Sequence, residues 1–550
     1  MAAKNTELDA AAQRHKELIG VSGPQALFQN LRVFSIAAFA CLGGLLYGYN
    51  QGVFSGVLTM YTFEEKMGEW TADTNKKGWL TSILELGAWV GTLYSGFLAE
   101  VISRKYAILV NTGIFVIGVI IQATAIDAGH SAILGGRFVT GLGVGSLSMI
   151  VPMYNAECAP PEVRGLLVGL QQVAIEFGIM TSYWIDYGTN YIGGTSAGQS
   201  NAAWVLPLCL QLIPALILGI GMIFMPFSPR WLMNHGHEDD ARQVLARLRD
   251  LPPENELIEV EFLEIKAQCL FEKRTTAENF PHLAAPTKTN LAKLQFVAIG
   301  SLFKTKPMFR RVIVAAVCMF FQQWTGVNAV LYYAPSIFQG LGMNNNTTNL
   351  LATGVVGIVM FVASFPAVLY IDKVGRKPVL ILGALGMASC HIIIAIIMAM
   401  YEDSWPDHRA AGWACVAMVW LFAIHFGWSW GPCSWILISE VWPLSSRAYG
   451  IAIASSSKYG TYVFFGVITF IGSLFVWRFV PETKRLTLEE MDTIFGSQGV
   501  AARDQERMAE INHEIGLDRL FGHMSEESLG EKNIDAGEVP KGEHTEEITA

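Results

Sequence analysis

Charge is what this chain has least of. Asp, Glu, Lys and Arg make up 15% of its 550 residues, where a soluble protein carries roughly 25%. With 52% hydrophobic residues and a mean hydropathy of +0.37, that shortage excludes a soluble globular chain and predicts an integral membrane protein. Paired cysteines are missing too. The eight (41, 158, 209, 269, 318, 390, 415, 433) are scattered, mostly in apolar runs, with no CxxC spacing, which argues against a disulfide framework or a thiolate metal centre. No basic stripe is present, so no nucleic-acid partner is expected. The net charge of −9 says little about partners, because much of the acid sits in the C-terminal tail. The first ~30 residues hold no apolar core of the kind a cleaved signal peptide needs.

What the chain does have is long apolar runs. Runs of roughly 18–25 residues or more predict membrane spans at Val33–Tyr61, Trp79–Val101, Ala107–Ile126, Ala132–Tyr154, Leu166–Tyr187 and Ala203–Phe227, then Arg311–Phe338, Asn349–Ile371, Val379–Met400, Gly412–Ile438 and Tyr449–Val480. Five segments follow: an N-terminal stretch 1–32, a first bundle 33–227, a polar linker 228–310 with short amphipathic helices, a second bundle 311–480, and a tail 481–550. The tail is expected to hold one helix, Leu488–Phe495, and otherwise too little apolar area to fold. Lys and Arg gather in alternate loops, which predicts a cytoplasmic N-terminus and linker. The overlapping sequons of Asn345-Asn346-Thr347-Thr348 fall in a loop of the other side, in weak agreement.

The run from Val312 to Phe338 has no charged residue, yet it carries Gln322, Gln323, Asn328, Tyr332 and Tyr333. An unpartnered amide in hydrocarbon costs several kcal/mol, so such groups face protein or a water-filled cavity. On a regular helix Gln323 and Asn328 lie about 140° apart, on one side. Amides both donate and accept, which suits a ligand covered in hydroxyls. A single amide would more simply be helix–helix glue; three beside two tyrosines and a Gly–Val break favour a ligand pathway.

The chain also repeats itself. Glu100…Arg104-Lys105 is matched by Asp372…Arg376-Lys377, an offset of 272 between Glu100 and Asp372. Glu157…Arg164 is matched by Glu440…Arg447, each spanning seven residues. Pro226-Phe-Ser-Pro-Arg230 is echoed by Pro481-Glu-Thr-Lys484. Two parallel halves are a hallmark of secondary transporters, and paired acids and guanidinia at helix ends fit latches that form and break between two states. One gap stands out. From Arg164 to Pro226 is 62 residues, but from Arg447 to Pro481 only 34, so about one helix and its turn are absent from the second half.

With Gly135-Gly136-Arg137, Pro152…Glu157, Pro160-Pro-Glu-Val-Arg164, Pro226…Arg230-Trp-Leu, Gln322-Gln-Trp-Thr-Gly-Val-Asn328, Asp372…Arg376-Lys and Pro481-Glu-Thr-Lys484 in this order, the chain resembles fungal monosaccharide transporters of the sugar porter family, in the major facilitator superfamily, from about Val33 to Phe495. The resemblance implies an all-α fold of two pseudo-symmetric six-helix bundles, here with the eleventh helix deleted. It also implies sugar contacts at Gln172, Gln322, Gln323, Asn328, Tyr332 and Trp435, and charge latches at Arg104, Arg137, Glu157, Arg164, Asp372, Arg376, Glu440 and Arg447. Tyr47, Asn50, Glu85 and Glu176 are the cavity or coupling positions. No Lys or Arg is read deep in a span, so the expected substrate is neutral.

The chain departs from the pattern at Asn50, where proton-coupled members have aspartate; an amide cannot carry a proton, so facilitated diffusion is expected. Glu85 and Glu176 are expected to be structural acids, with proton–sugar symport as the alternative. Met360 stands where many members have a sugar-facing asparagine, and Ser103 where the second half has Gly375. At the gap, Ser455-Ser-Ser457 runs directly into Lys458. Tyr449–Val480 is then expected either to cross once, placing the Pro481 motif and tail outside, or to bend as a re-entrant pair; a skipped exon explains the gap more simply. The expected function is monosaccharide transport in the plasma membrane, with no covalent chemistry and no cofactor, its partners being a sugar and the bilayer. A sugar sensor, or an inactive isoform lacking one helix, is the alternative of another class.

Overall fold

The computed structural model describes residues 30–160, 163–283, 287–340, 346–401, 404–440, 462–483 and 498–520. Six long helices come first: α1 (Leu31–Val57), α2 (Thr74–Ile102), α3 (Arg104–Ala123), α4 (His130–Cys158), α5 (Arg164–Thr189) and α6 (Ala202–Met222). A linker of α7 (Pro229–Asn234), α8 (Glu238–Arg249), α9 (Glu256–Asn279) and α10 (Lys288–Ser301) leads to α11 (Lys306–Gly340), α12 (Asn346–Val374), α13 (Arg376–Tyr401), α14 (Arg409–Trp428 continued as Trp430–Glu440) and α15 (Tyr462–Phe479). A last helix, α16, covers Gln498–Glu514.

Among the described residues, eight helices are long and apolar enough to cross a membrane on composition alone. α2 and α5 fall outside that set because their runs carry Glu85, Gln171, Gln172, Glu176 and Asp186. Ile213, Leu216, Ile217 and Ile220, at one-turn spacing on α6, point outward, the pattern of a lipid-facing stripe.

The two bundles share a plan. In the first, α4 packs along α2 and α3, α6 along α3 and α1, and α5 along α1. In the second, α14 packs along α12 and α13, and α15 along α13 and α11. Thus α15 holds the sixth-helix place, and among the described residues no helix holds the fifth. The join at Ser457–Lys458 lies outside them. Glu482 accepts hydrogen bonds from the backbone N–H groups of Arg376 (2.9 Å) and Lys377 (3.1 Å). This puts the Pro481 motif at the end that carries Arg376, so the single crossing that would send the motif to the far side does not occur.

Gly44, Gly48, Gly52 and Gly56 recur every four residues on α1. A Cβ at Gly48 would overlap the Ile175 carbonyl of α5, so the two backbones touch, as small residues allow in membranes. Gly48→Val should separate α1 from α5 and cost about 1–3 kcal/mol or more, read as lost monodispersity and a lower thermal midpoint in detergent.

Ser103 takes a φ of 87° before α3, as Gly375 takes 104° before α13. A non-glycine residue is strained there. Ser103→Gly should raise stability by about 1 kcal/mol, measured as an increased thermal midpoint, less a few tenths for the lost cap in which the Tyr106 N–H donates to the Ser103 hydroxyl.

In the linker, α7, α8 and α9 enclose a small core of Leu232, Met233, Leu245, Ile258 and Phe262. The tail departs from expectation. Leu488–Phe495 lies outside the described residues, and helix forms farther on, where α16 lays Ile511 against Ala267 and Phe271 of α9. Arg507 also pairs with Glu278, and Arg274 with Glu514. Amphipathic spacing and partner charges on α9 supply the burial that the tail lacks alone.

Candidate functional site

The amide-bearing helix α11 is broken. Its first part ends at Trp324 and its second begins at Val327, with Gly326 at a φ of 93°. The carbonyls freed by the break need donors inside a membrane. The Thr325 hydroxyl donates to the Gln322 carbonyl at 2.7 Å, and His391 Nε2 of α13 lies 2.8 Å from the Thr325 carbonyl. The break also redirects the amides. Gln322 is buried and donates to the carbonyls of Trp430 (2.9 Å) and Gly431 (3.3 Å) on α14. Gln323 and Asn328 remain half-buried, with Asn328 Nδ2 donating to Gln323 Oε1. The 140° estimate assumed an unbroken helix; the kink instead pairs Gln323 with Asn328 and turns Gln322 into the bundle.

Across from them, α5 presents Gln172, whose Nε2 donates to Glu176 Oε1 at 3.0 Å. Trp435 lies one turn beyond Gly431, half-buried, and packs against the cluster of Leu302, Val312, Ala315 and Met319. Trp430 is fully buried with its indole N–H on the Leu380 carbonyl at 2.8 Å, and its backbone carbonyl is what accepts from Gln322. Met360 is buried in the second bundle.

Past the amides, the bundles are tied together. Tyr332 donates to Glu85 Oε1 of α2 at 3.0 Å, and the Tyr333 and Thr81 hydroxyls meet at 2.8 Å. Tyr183 of α5 donates to the Leu331 carbonyl at 2.7 Å, and Asn346 to the Thr59 carbonyl at 3.2 Å. This is the closed, or gate, end. Glu85 also receives Gln51 Nε2 at 3.3 Å, and the same amide reaches the Tyr47 hydroxyl at 3.1 Å. Thr81, Tyr183 and Thr59 carry no sequence signal of this role, since gate pairing is set by bundle contact and not by local pattern.

Arg137 belongs at this gate end. It is fully buried, with its guanidinium 3.9 Å from the Phe54 ring centre and Nη2 donating to the Thr81 carbonyl at 3.3 Å. Glu157 is 20 residues further along α4, about 30 Å at 1.5 Å per residue. Arg137 is therefore not one of the latches at the other end, and a cation does lie deep in a span. Its position inside the predicted span Ala132–Tyr154 was the available signal.

The latches themselves gather at the opposite end. Buried Arg104 binds Glu157 at 2.9 Å and Glu100 at 2.8 Å. Glu157 also accepts the Ser228 hydroxyl, and Arg230 pairs with Glu272 of α9. Burial raises the Glu272 carboxyl above its usual range despite Arg230 beside it. Arg164 is exposed and donates to the Ala159 carbonyl. The matched spacing of Glu157 and Arg164 thus does not mark a pair, because Arg104 takes Glu157. In the second bundle Arg376 is buried at the start of α13 over Glu482. The side chains of Asp372 and Glu440, and all of Arg447, lie outside the described residues. Each described contact at this end lies within one bundle, within the linker, or between a bundle and the linker.

Comparison with known proteins decides the family. A family model described as "Sugar (and other) transporter" matches residues 36–495. The chain belongs to that family. This family member is 29% identical to a probable quinate permease of Aspergillus fumigatus over 93% of this chain and 97% of that protein. It is 28% identical to a quinate permease of Neurospora terricola, covering 93% and 96%. Among solved structures it resembles the proton:xylose symporter XylE bound to 6-bromo-6-deoxy-D-glucose (TM-score 0.67, 26% identity, 84% of this chain and 99% of that one). It also resembles the partially occluded inward-open conformation of XylE from E. coli (TM-score 0.65, 27%, 83% and 99%). The fold is that of the major facilitator superfamily.

Asn50 is fully buried on α1. Its Nδ2 donates to Gln211 of α6 in a fully buried pair. Glu176 is fully buried on α5.

Proposed function

We propose that this transporter carries a neutral monosaccharide, a hexose or a pentose, across the plasma membrane by alternating access. The observation that carries the reading is the Gln323–Asn328 pair at the break of α11. It is an uncharged donor–acceptor surface between two bundles that touch at the gate end. Sugar hydroxyls exchange bonds with these amides and with Gln172, the bundles rock, and the gate bonds give way. The latch end faces the cytoplasm, as its basic residues suggest, and the N-terminus lies on the same side. An amide bonded to Gln211 at position 50 takes up no proton, so any proton coupling has to use another carboxyl.

One observation favours a second substrate, a polyhydroxylated acid. Arg137 Nε and Nη1 are buried without hydrogen-bond partners, and relatives are named quinate permeases. Radiolabelled glucose, xylose and quinate uptake, in yeast lacking its own hexose carriers, tests both. Glucose or xylose uptake unaffected by excess quinate supports the first reading; quinate uptake alone replaces it with the second. Surface delivery with no uptake of any of the three sinks both.

A further inference from the structure

We propose that His391 of α13 is a positioning residue for the substrate amides, holding the break of α11 at the angle that brings Gln323 and Asn328 together; the inference rests on the transport reading above. His391 is buried, on the face of α13 that also buries Gly383, Met387 and Ile394. A histidine inside a membrane is costly unless it is partnered, and such residues mark function. Its partner is the backbone of the break, with Nε2 2.8 Å from the Thr325 carbonyl. A carbonyl only accepts, so Nε2 carries the hydrogen and donates it. Phe422 of α14 holds the ring from a second side, with the two ring centres 4.7 Å apart.

In an unbroken helix the Thr325 carbonyl would accept the N–H of Ala329, four residues on. Here the second half of α11 starts its own ladder at Gly326, whose carbonyl takes the Val330 N–H at 3.1 Å. The Thr325 carbonyl, one residue earlier, takes His391 instead. Gln322 fixes the half before the break, through the Trp430 and Gly431 carbonyls of α14. His391 fixes the joint itself to α13. Gln323 lies two residues before Thr325 and Asn328 three after it, so the anchor sits between the two amides. The bond from the Thr325 hydroxyl to the Gln322 carbonyl stays inside α11 and does not set its direction against the bundle.

Without the imidazole donor the buried Thr325 carbonyl is left unpaired, a state the chain avoids. The break then rewinds toward the Ala329 N–H, or its second half shifts. Either movement turns Asn328 relative to Gln323. Sites that bond hydroxyls lose much of their grip when a partner is displaced by about 1 Å. The effect falls on substrate affinity rather than on folding, because an apolar side chain of similar size keeps the contact with Phe422.

The test measures concentration-dependent uptake of radiolabelled glucose, xylose and quinate in yeast lacking its own hexose carriers, with surface protein quantified. Wild type is compared with His391→Phe, His391→Leu and His391→Gln. Phenylalanine and leucine keep apolar packing and lack the donor, whereas glutamine places an amide N–H at a reach similar to that of Nε2. The two donorless variants should raise the KM for the transported probe about tenfold, with maximal uptake per surface carrier little changed. His391→Gln should recover most of the affinity. An unchanged KM in the donorless variants overturns the inference, as does a glutamine variant no better than they are. Loss of surface protein in both donorless variants makes His391 a folding residue and overturns it too. Wild type at the surface with no uptake of any probe instead overturns the transport reading, and the inference with it.

Discussion

Replacing Gln323 with alanine should cut substrate uptake by about 10- to 100-fold while leaving surface expression intact. The Gln323 amide holds Asn328 and stands half-open at the break of α11. Removing it takes away a donor and an acceptor for substrate hydroxyls and leaves Asn328 Nδ2 without its acceptor. An unmade hydrogen bond to a buried polar group costs about 1–3 kcal/mol, and sites built to bond a hydroxyl discriminate strongly when a partner is missing. Concentration-dependent uptake in carrier-deficient yeast, with surface protein quantified in parallel, reads the effect. Unchanged uptake would reduce the amides to helix glue. Fold stability should change little, because Gln322, not Gln323, makes the bonds that hold α11 to α14.

Arg104→Ala should be the most destabilising single change at the latch end. Arg104 is buried and bonds both Glu157 and Glu100, with a further bond from Nη1 to the Ala99 carbonyl at 3.3 Å. Its loss leaves Glu157 buried beside Ser228 with no cation in contact. Breaking a buried pair from one side costs about 3–5 kcal/mol, far above the 0–1 kcal/mol of an exposed pair such as Arg32–Asp250. The expected result is a markedly lower thermal midpoint in detergent. Arg104→Lys should recover only part of it, because a point charge cannot span two carboxylates as a guanidinium does. Arg164→Ala should leave the midpoint within the range of ordinary surface changes. If Arg104→Ala were as mild as Arg164→Ala, the buried network would not be what clasps α2, α3 and α4.

The repeat in the sequence pointed to the right ends of the right helices, but not to the pairs. Acids and guanidinia at matched spacing announce that charges gather; Glu157 reaching Arg104 and not Arg164 depends on how α3 and α4 pack. The gap between Arg447 and Pro481 was legible as a missing helix, and the resemblance placed it as the eleventh; the packing of α15 on α13 and α11, repeating that of α6 on α3 and α1, puts α15 in the sixth place of its bundle and leaves the fifth unfilled among the described residues. The α16 docking on α9 escaped composition because a tail short of apolar area can borrow a partner's.

By itself the sequence determined the membrane class, the places of the ten spans before the gap, the two-half architecture and the amide cluster of α11. Hydropathy, repeat spacing and intramembrane polarity are local quantities, written along the chain. The tertiary structure alone decided that Arg137 sits at the gate, that Gln322 turns inward while Gln323 pairs with Asn328, and that Gly431 of the other bundle comes against Glu176. Those outcomes depend on the kink at Gly326 and on one bundle meeting the other, contacts between residues up to several hundred positions apart that no local pattern encodes.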